Sequence, residues 1–297
     1  MTDGPASRAA SPWRFELLDR ISEPGQSNNE DRGSALPSAA WVIDGVTGMS
    51  PERLFPGPSD AAWLAATADG AMRDLATFDG DGEALMQRLT AELGRVCERA
   101  ALAPLDESGV DLPAASIAVA RLAGDTLETV MLSDCKIVLQ HRDGPVTALD
   151  DSAVAPFDAA AVAALRRMQA AGETRLAALM PQLKVLIREN RRHINRPGGY
   201  GVLSADPAGL AFVETARWPA SDVTHVLLAS DGFYRLVDTY HAMSAAELLD
   251  AAAKRGLAPL YDDLRRIEDA DPECLNHPRL KPRDDATALL LRLVPSP

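Results

Sequence analysis

Four acidic sites stand at the ends of short apolar runs, where carboxylates from distant parts of a chain can meet. They are Glu30-Asp31 in Asn28-Asn29-Glu30-Asp31-Arg32, Asp44 in Ile43-Asp44-Gly45, Asp231 in Ala229-Ser230-Asp231-Gly232, and Asp284-Asp285 before the apolar run Ala286–Val294. Asp134, within Ser133-Asp134-Cys135, is a fifth. Hard divalent cations need several oxygen ligands, and such a set can supply them. Glycine after the aspartate, as at Gly45 and Gly232, lets the backbone approach an ion closely enough for its carbonyl to serve. One Asp-Gly after a strand is usually only a turn. The repetition of the pattern carries the information.

Other chemistries find little support. The histidines His141, His193, His225, His241 and His277 lack H-x-x-x-H or H-E-x-x-H spacing. Pro197-Gly198-Gly199-Tyr200-Gly201 has no following G-K-[ST], so it reads as a turn into a strand. Ser133 and Ser230 lack the G-x-S-x-G context of a nucleophile elbow. Cys97, Cys135 and Cys274 are odd in number and far apart, which argues for reduced thiols rather than disulfides or zinc.

The elements that must position these residues are legible in outline. Strands are predicted at Trp13–Leu18, Ala39–Ile43, Gly201–Ser204, Leu210–Ala216, His225–Ala229 and Ala286–Val294. Ser116–Leu122, Leu127–Leu132 and Lys136–Gln140 read as an antiparallel meander. Ser59-Asp60 opens an Ala-rich helix to Leu75, and Leu85, Leu89, Leu93 and Val96 mark a second apolar helix face. Phe157–Ile194 is helical, with Gly172 and Pro181 as expected interruptions. Ser244-x-x-Glu247 is a capping box, and Leu260, Leu264 and Ile267 mark a last helix. Strict βαβ alternation is absent, which disfavours a doubly wound parallel sheet. Packed antiparallel sheets with outer helices are expected instead.

The chain has 297 residues, 46% of them hydrophobic, and a formal net charge of −13. That length and composition allow a large buried core. The acidic balance argues against nucleic-acid partners. No run of about 18 apolar residues predicts a membrane span. The first 20 residues lack an apolar signal segment, so a cytoplasmic location is expected.

The acidic motifs resemble those of the metal-dependent protein serine/threonine phosphatases of type 2C, the PPM family. Asn29-Glu30-Asp31-Arg32 matches an N-E-D motif, and Val42-Ile43-Asp44-Gly45-Val46-Thr47-Gly48 is similar to V-x-D-G-x-x-G. Ser116–Ala120 resembles the S-T-A strand, and Leu132-Ser133-Asp134-Cys135-Lys136 the G-D-S-R turn. Leu228-Ala229-Ser230-Asp231-Gly232-Phe233 and Arg283-Asp284-Asp285-Ala286-Thr287 resemble the two remaining motifs, in family order. The resemblance implies an α+β fold: an α-β-β-α sandwich of two antiparallel sheets flanked by helices. It implies one domain over residues 13–294, after a flexible segment 1–12. It further implies two Mn2+ or Mg2+ ions bridged by Asp44. The Gly45 carbonyl would bind one, and Asp231 and Asp284 the other. Glu30 and Asp31 would act mainly through water, and Asp134 would serve a third, weaker metal. The implied activity is hydrolysis of phosphate monoesters, first of all phosphoserine and phosphothreonine in proteins. A phosphorylated metabolite as substrate, or a non-catalytic partner-binding module, are the alternatives.

The sequence departs from the family at substrate contacts. Gln26 stands where bacterial members often carry a phosphate-holding Arg, and Val46 where animal members carry a His proposed as general acid. Ser133 replaces a Gly, and Ile117 a Thr. A basic helical insert at about 157–196 includes Arg188, Arg191 and Arg192, which are spaced to share one helix face. A solvated face is the plainer reading of such a segment. The alternative expectation is that these arginines border the cleft and supply the phosphate contact that Gln26 cannot make with charge.

Overall fold

Along Ala39–Val46 (β3), Ala39, Trp41 and Ile43 pack into one apolar cluster, while Ala40 and Val42 pack into another. Side chains of a strand point alternately to opposite faces, so a strand apolar on both is buried on both. The same division recurs in Ala114–Ala123 (β4), Val223–Ala229 (β9) and Ala286–Pro295 (β10). The chain is therefore layered. The computed structural model describes residues 11–49, 52–102, 112–151 and 153–297.

One antiparallel sheet has Arg32–Leu36 (β2), β3, β4, Thr126–Leu132 (β5) and Glu214–Pro219 (β8), in that order. The other has Trp13–Glu23 (β1), β10, β9, Lys136–His141 (β6) and Val146–Leu149 (β7). Phe15, Val42, Leu127, Ile137, Val226 and Leu291 belong to the cluster between the sheets. Outside the first sheet lie Asp60–Leu75 (α1) and Gly82–Ala100 (α2), whose Leu64, Met72, Leu89 and Leu93 cover Trp41 and Ile117. Outside the second lie Asp231–Asp238 (α5), Ala245–Arg255 (α6) and Leu257–Asp269 (α7). The fold is an α-β-β-α sandwich, as the motifs implied.

Several local expectations need correction. The meander breaks after β5: β6 leaves for the other sheet, where it pairs with β9 and β7. Gly201–Ser204 forms no strand, and only Leu203 bridges, to Ala115. Pro207–Phe212 is a 3-10 turn, so the strand expected from Leu210 begins at Glu214. The predicted helical stretch is two helices, Ala155–Ala170 (α3) and Leu176–Arg191 (α4). Gly172 breaks it at φ +116°, but Pro181 stays inside α4. Residues 1–10 of the segment expected to be flexible lie outside the described residues. Ser11 is tied down: its Oγ donates to Gly124 O at 2.7 Å. Ser296 N likewise donates to Pro12 O at 2.7 Å. Among the described residues, no helix is long and apolar enough to cross a membrane.

The α3–α4 hairpin has its own small core of Leu165, Leu176, Leu179, Leu183 and Cys274. Helix α4 lacks a capping side chain from its own N-terminus. Instead Glu273, from the loop between α7 and β10, accepts from Leu176 N at 2.6 Å. A carboxylate there meets both an unpaired N–H and the positive end of the helix dipole.

Candidate active site

Strand register brings the acidic motifs to one end of the sandwich. Arg32 pairs with Ile43, so Asp31 arrives beside Asp44, which pairs with Ser116. Lys136 and Ala288 both pair with Ala229, which delivers Asp134, Asp231 and the Asp284-Asp285 turn to that end. The approach is close. A Cβ on Gly232 would lie 2.0 Å from Asp285 O, and one on Gly25 would lie 2.3 Å from the Asp284 carbonyl carbon. Glycine is needed at both places because no side chain fits.

Asp285 fastens the loop that carries Gln26 and Glu30. Its Oδ1 accepts from Gly25 N at 2.7 Å and its Oδ2 from Glu30 N at 2.6 Å. Glu30 is oriented in turn by hydroxyls: Thr47 Oγ1 and Ser59 Oγ donate to its two oxygens at 2.5 Å each.

Asp31 is 1% exposed, and neither of its carboxylate oxygens has a hydrogen-bond partner. Burial pushes its pKa up to about 7, with Asp285, Asp284 and Asp231 adding to the rise. The nearby Ser230 hydroxyl is the main influence opposing this rise, and its Oγ also accepts from Thr287 N at 3.0 Å and donates to Thr287 O at 3.5 Å. Asp44 is raised well above the ordinary value by desolvation, then by Asp31, Asp231, Cys135 and Asp134. Asp134 rises to about 6 through burial and Asp231. Asp158, at the start of α3, lies within electrostatic range of Asp134 and Asp231.

Asp284 is treated differently. Arg235 Nη2 donates to its Oδ2 at 2.7 Å and Lys281 Nζ to its Oδ1 at 2.8 Å. Burial alone would raise its pKa, but Lys281 and Arg235 outweigh burial and hold it below the usual carboxylate value.

Among the described residues, no three acids, histidines or cysteines are grouped closely enough to hold a metal ion as they stand. The carboxylates lie instead within mutual electrostatic range, raising one another's pKa. Divalent cations fit this donor set on one observation: both Asp31 oxygens are buried, unsatisfied and surrounded by like charge. A cation cures both faults. Asp44, Asp231 and the Gly45 carbonyl are hard oxygen donors of the type Mg2+ and Mn2+ take.

The other expected site residues are divided. Gln26 lies on the loop fixed by Asp285 and is exposed. Arg188 Nη2 donates to Met49 O at 3.1 Å, and Arg191 Nη2 to Thr47 O. Both therefore hold the segment that follows Asp44-Gly45. Arg192 is exposed and pairs with Glu189 on its own helix at 3.1 Å. Sequence reasoning missed Arg235 and Lys281. Arg235 lies four residues after Asp231 on α5, the spacing that puts two side chains on one helix face.

Ser133 adopts φ +71°, a left-handed backbone that glycine takes without penalty. Its N–H donates to buried Asp151 at 3.1 Å, which holds the turn in place. Ser133→Gly should relieve about 1 kcal/mol of strain and raise the melting temperature by roughly 2 °C. Thermal unfolding checks this, and a lower melting temperature would contradict it.

This sandwich, with acids converging at one sheet end, is the framework of a metal-dependent hydrolase. A family model described as Protein phosphatase 2C matches residues 26–267. The chain belongs to the protein phosphatase 2C family and is a phosphoric monoester hydrolase dependent on divalent metal. Solved structures share its fold. The Mycobacterium tuberculosis serine/threonine phosphatase PstP/Ppp is 17% identical with a TM-score of 0.53, over 94% of this chain and 98% of that one. The PstP catalytic domain in complex with two manganese ions gives 16% and 0.54, over 95% and 99%. The serine/threonine phosphatase Stp1 from Staphylococcus aureus gives 11% and 0.51, over 98% of each chain. No curated protein matches the sequence.

Proposed function

We propose that the chain dephosphorylates phosphoserine and phosphothreonine in proteins, using two divalent cations at the carboxylate cluster. Asp44 would bridge them, with the Gly45 carbonyl on one side and Asp231 and Asp284 on the other. Asp134 would serve a third, weaker position. The carrying observation is Asp31, a buried carboxylate with both oxygens unbonded inside a ring of acids. Bound cations supply two things: they neutralise the phosphate ester's charge and lower the pKa of an attacking water.

The chain's own residues do the rest. Glu30, locked by Ser59 and Thr47, offers an acceptor of fixed direction. Asp31 stands ready to hold or accept a proton from water near its own position. Arg191 pins Thr47 from the opposite side and so keeps the loop after Asp44-Gly45 in place. The Gln26 amide can donate to a phosphate oxygen, without the charge-assisted strength of an arginine. Val46 offers no proton, so the departing serine or threonine alkoxide takes its proton from solvent.

The test is phosphate release from phosphothreonine peptides and from small phosphometabolites, each with Mn2+ and with chelator. Mn2+-dependent release that favours the peptide supports the proposal. Release confined to the metabolites refutes the protein substrate. No release from either refutes the catalytic reading.

A further inference from the structure

Asp284 and Asp31 have opposite problems. Asp31 has no partner for either oxygen, whereas both oxygens of Asp284 are taken by cationic side chains. The two cations differ in kind. The Arg235 side chain is 9% exposed and is fixed by further bonds, to Glu268 Oε1 at 3.3 Å and Lys281 O at 3.4 Å. It is a built-in part of the wall. The Lys281 side chain keeps 37% exposure, and its ammonium bonds Asp284 at the end of a flexible stem.

The Lys281 backbone is nevertheless fixed. Its carbonyl accepts from Arg235, and the next carbonyl, Pro282 O, accepts from Arg279 Nε at 3.1 Å. Arg279 is itself buried against Asp271 at 2.8 Å. A fixed backbone therefore delivers a point charge, on a long and partly exposed stem, to the cluster. That charge lies within electrostatic range of Asp44 and Asp231 as well as Asp284. These are the three side chains that the proposed function assigns to a divalent cation.

We propose that Lys281 is an internal counter-ion of the carboxylate cluster, and that a divalent cation reaches Asp284 by displacing its ammonium. The inference rests on the two-cation reading above. The displaced ammonium keeps its proton and swings toward solvent, so the cluster exchanges a single positive charge for a double one. Two consequences follow. Cation binding at Asp284 is weaker than the donor set alone would give, because a charge-assisted hydrogen bond is broken each time. Without metal, the lysine lowers the repulsion among Asp31, Asp44, Asp231 and Asp284.

The experiment is calorimetric titration with Mn2+ alone, on wild type, Lys281→Met, Lys281→Gln, and Lys281→Met combined with Asp284→Asn. Both lysine variants should bind Mn2+ about tenfold more tightly, the scale of one charge-assisted hydrogen bond. The double variant should lose that gain. In chelator, Lys281→Met should melt lower than wild type. Unchanged or weaker binding in both lysine variants, with normal binding in wild type, overturns the role of Lys281 and leaves the metal reading intact. A gain that survives Asp284→Asn overturns the assigned position. Absence of Mn2+ binding in wild type and both lysine variants overturns the metal reading itself, and this inference with it.

Discussion

Asp44→Ala should cut Mn2+-dependent phosphate release by about a thousandfold or more while leaving the fold intact. Asp44 sits at the end of β3, with Asp31, Asp231 and Asp134 all near enough to raise its pKa. In the proposed site it would help to hold both cations, so its loss would weaken both. Cations stabilise a phosphoryl-transfer transition state by several kcal/mol, and about 4 kcal/mol corresponds to about a thousandfold in rate. Removing a desolvated, mutually repelled carboxylate should not destabilise the metal-free protein. Steady-state kinetics and thermal unfolding in chelator therefore form a pair: activity falls and the melting temperature does not. Residual activity above a few per cent would remove Asp44 from the role assigned to it.

Asp31→Asn should change the pH dependence of stability. The folded-state pKa of Asp31 is about 7, against an ordinary value of 3.8. A raised folded pKa means the native state holds its proton more tightly than the unfolded chain does. The stability this gives is present at low pH and is lost as pH rises from about 4 through about 7. Asparagine cannot ionise and escapes that loss. In chelator, the melting temperature of Asp31→Asn relative to wild type should rise by several degrees between about pH 4 and about pH 8, at roughly 2 °C per kcal/mol. Comparing the two pH values cancels the cost of the buried, unpaired amide. Millimolar Mn2+ should raise the melting temperature of wild type at about pH 8 and do so much less for the variant. A relative stability that is flat with pH, or an equal Mn2+ gain, would contradict the reading.

The sandwich was legible because its central strands are apolar on both faces, as Ala39–Ile43 shows. Edge elements were not. Arg32-Gly33-Ser34-Ala35-Leu36 has no apolar alternation, and β2 forms because β3 offers it a partner and Asp69 takes the Ser34 hydroxyl at 2.6 Å. Helix α5 was hidden behind Asp231-Gly232, which reads as a turn until β9 and β10 fix where the chain must go. The crossing of β6 to the second sheet is likewise a tertiary choice, since Lys136–Gln140 has the same pattern whichever sheet receives it. At the site, the acids were legible because Asp-Gly and Asp-Asp punctuate strand ends. Their counter-ions were not, because Arg235 and Lys281 are charged residues among many. Only the folded arrangement puts them on Asp284. The basic face of α4 was legible as a pattern, but its bonds are to backbone carbonyls, which no sequence pattern announces.

Helix α4 is tied at both ends, to Glu273 at its start and to Thr47 and Met49 at its finish. Its 16 residues form a tie-rod of roughly 24 Å between two loops. One loop runs on from Asp44, and the other runs on to Lys281 and Asp284. Whatever grips the outer surface of α4 would touch a helix anchored on both sides of the proposed site.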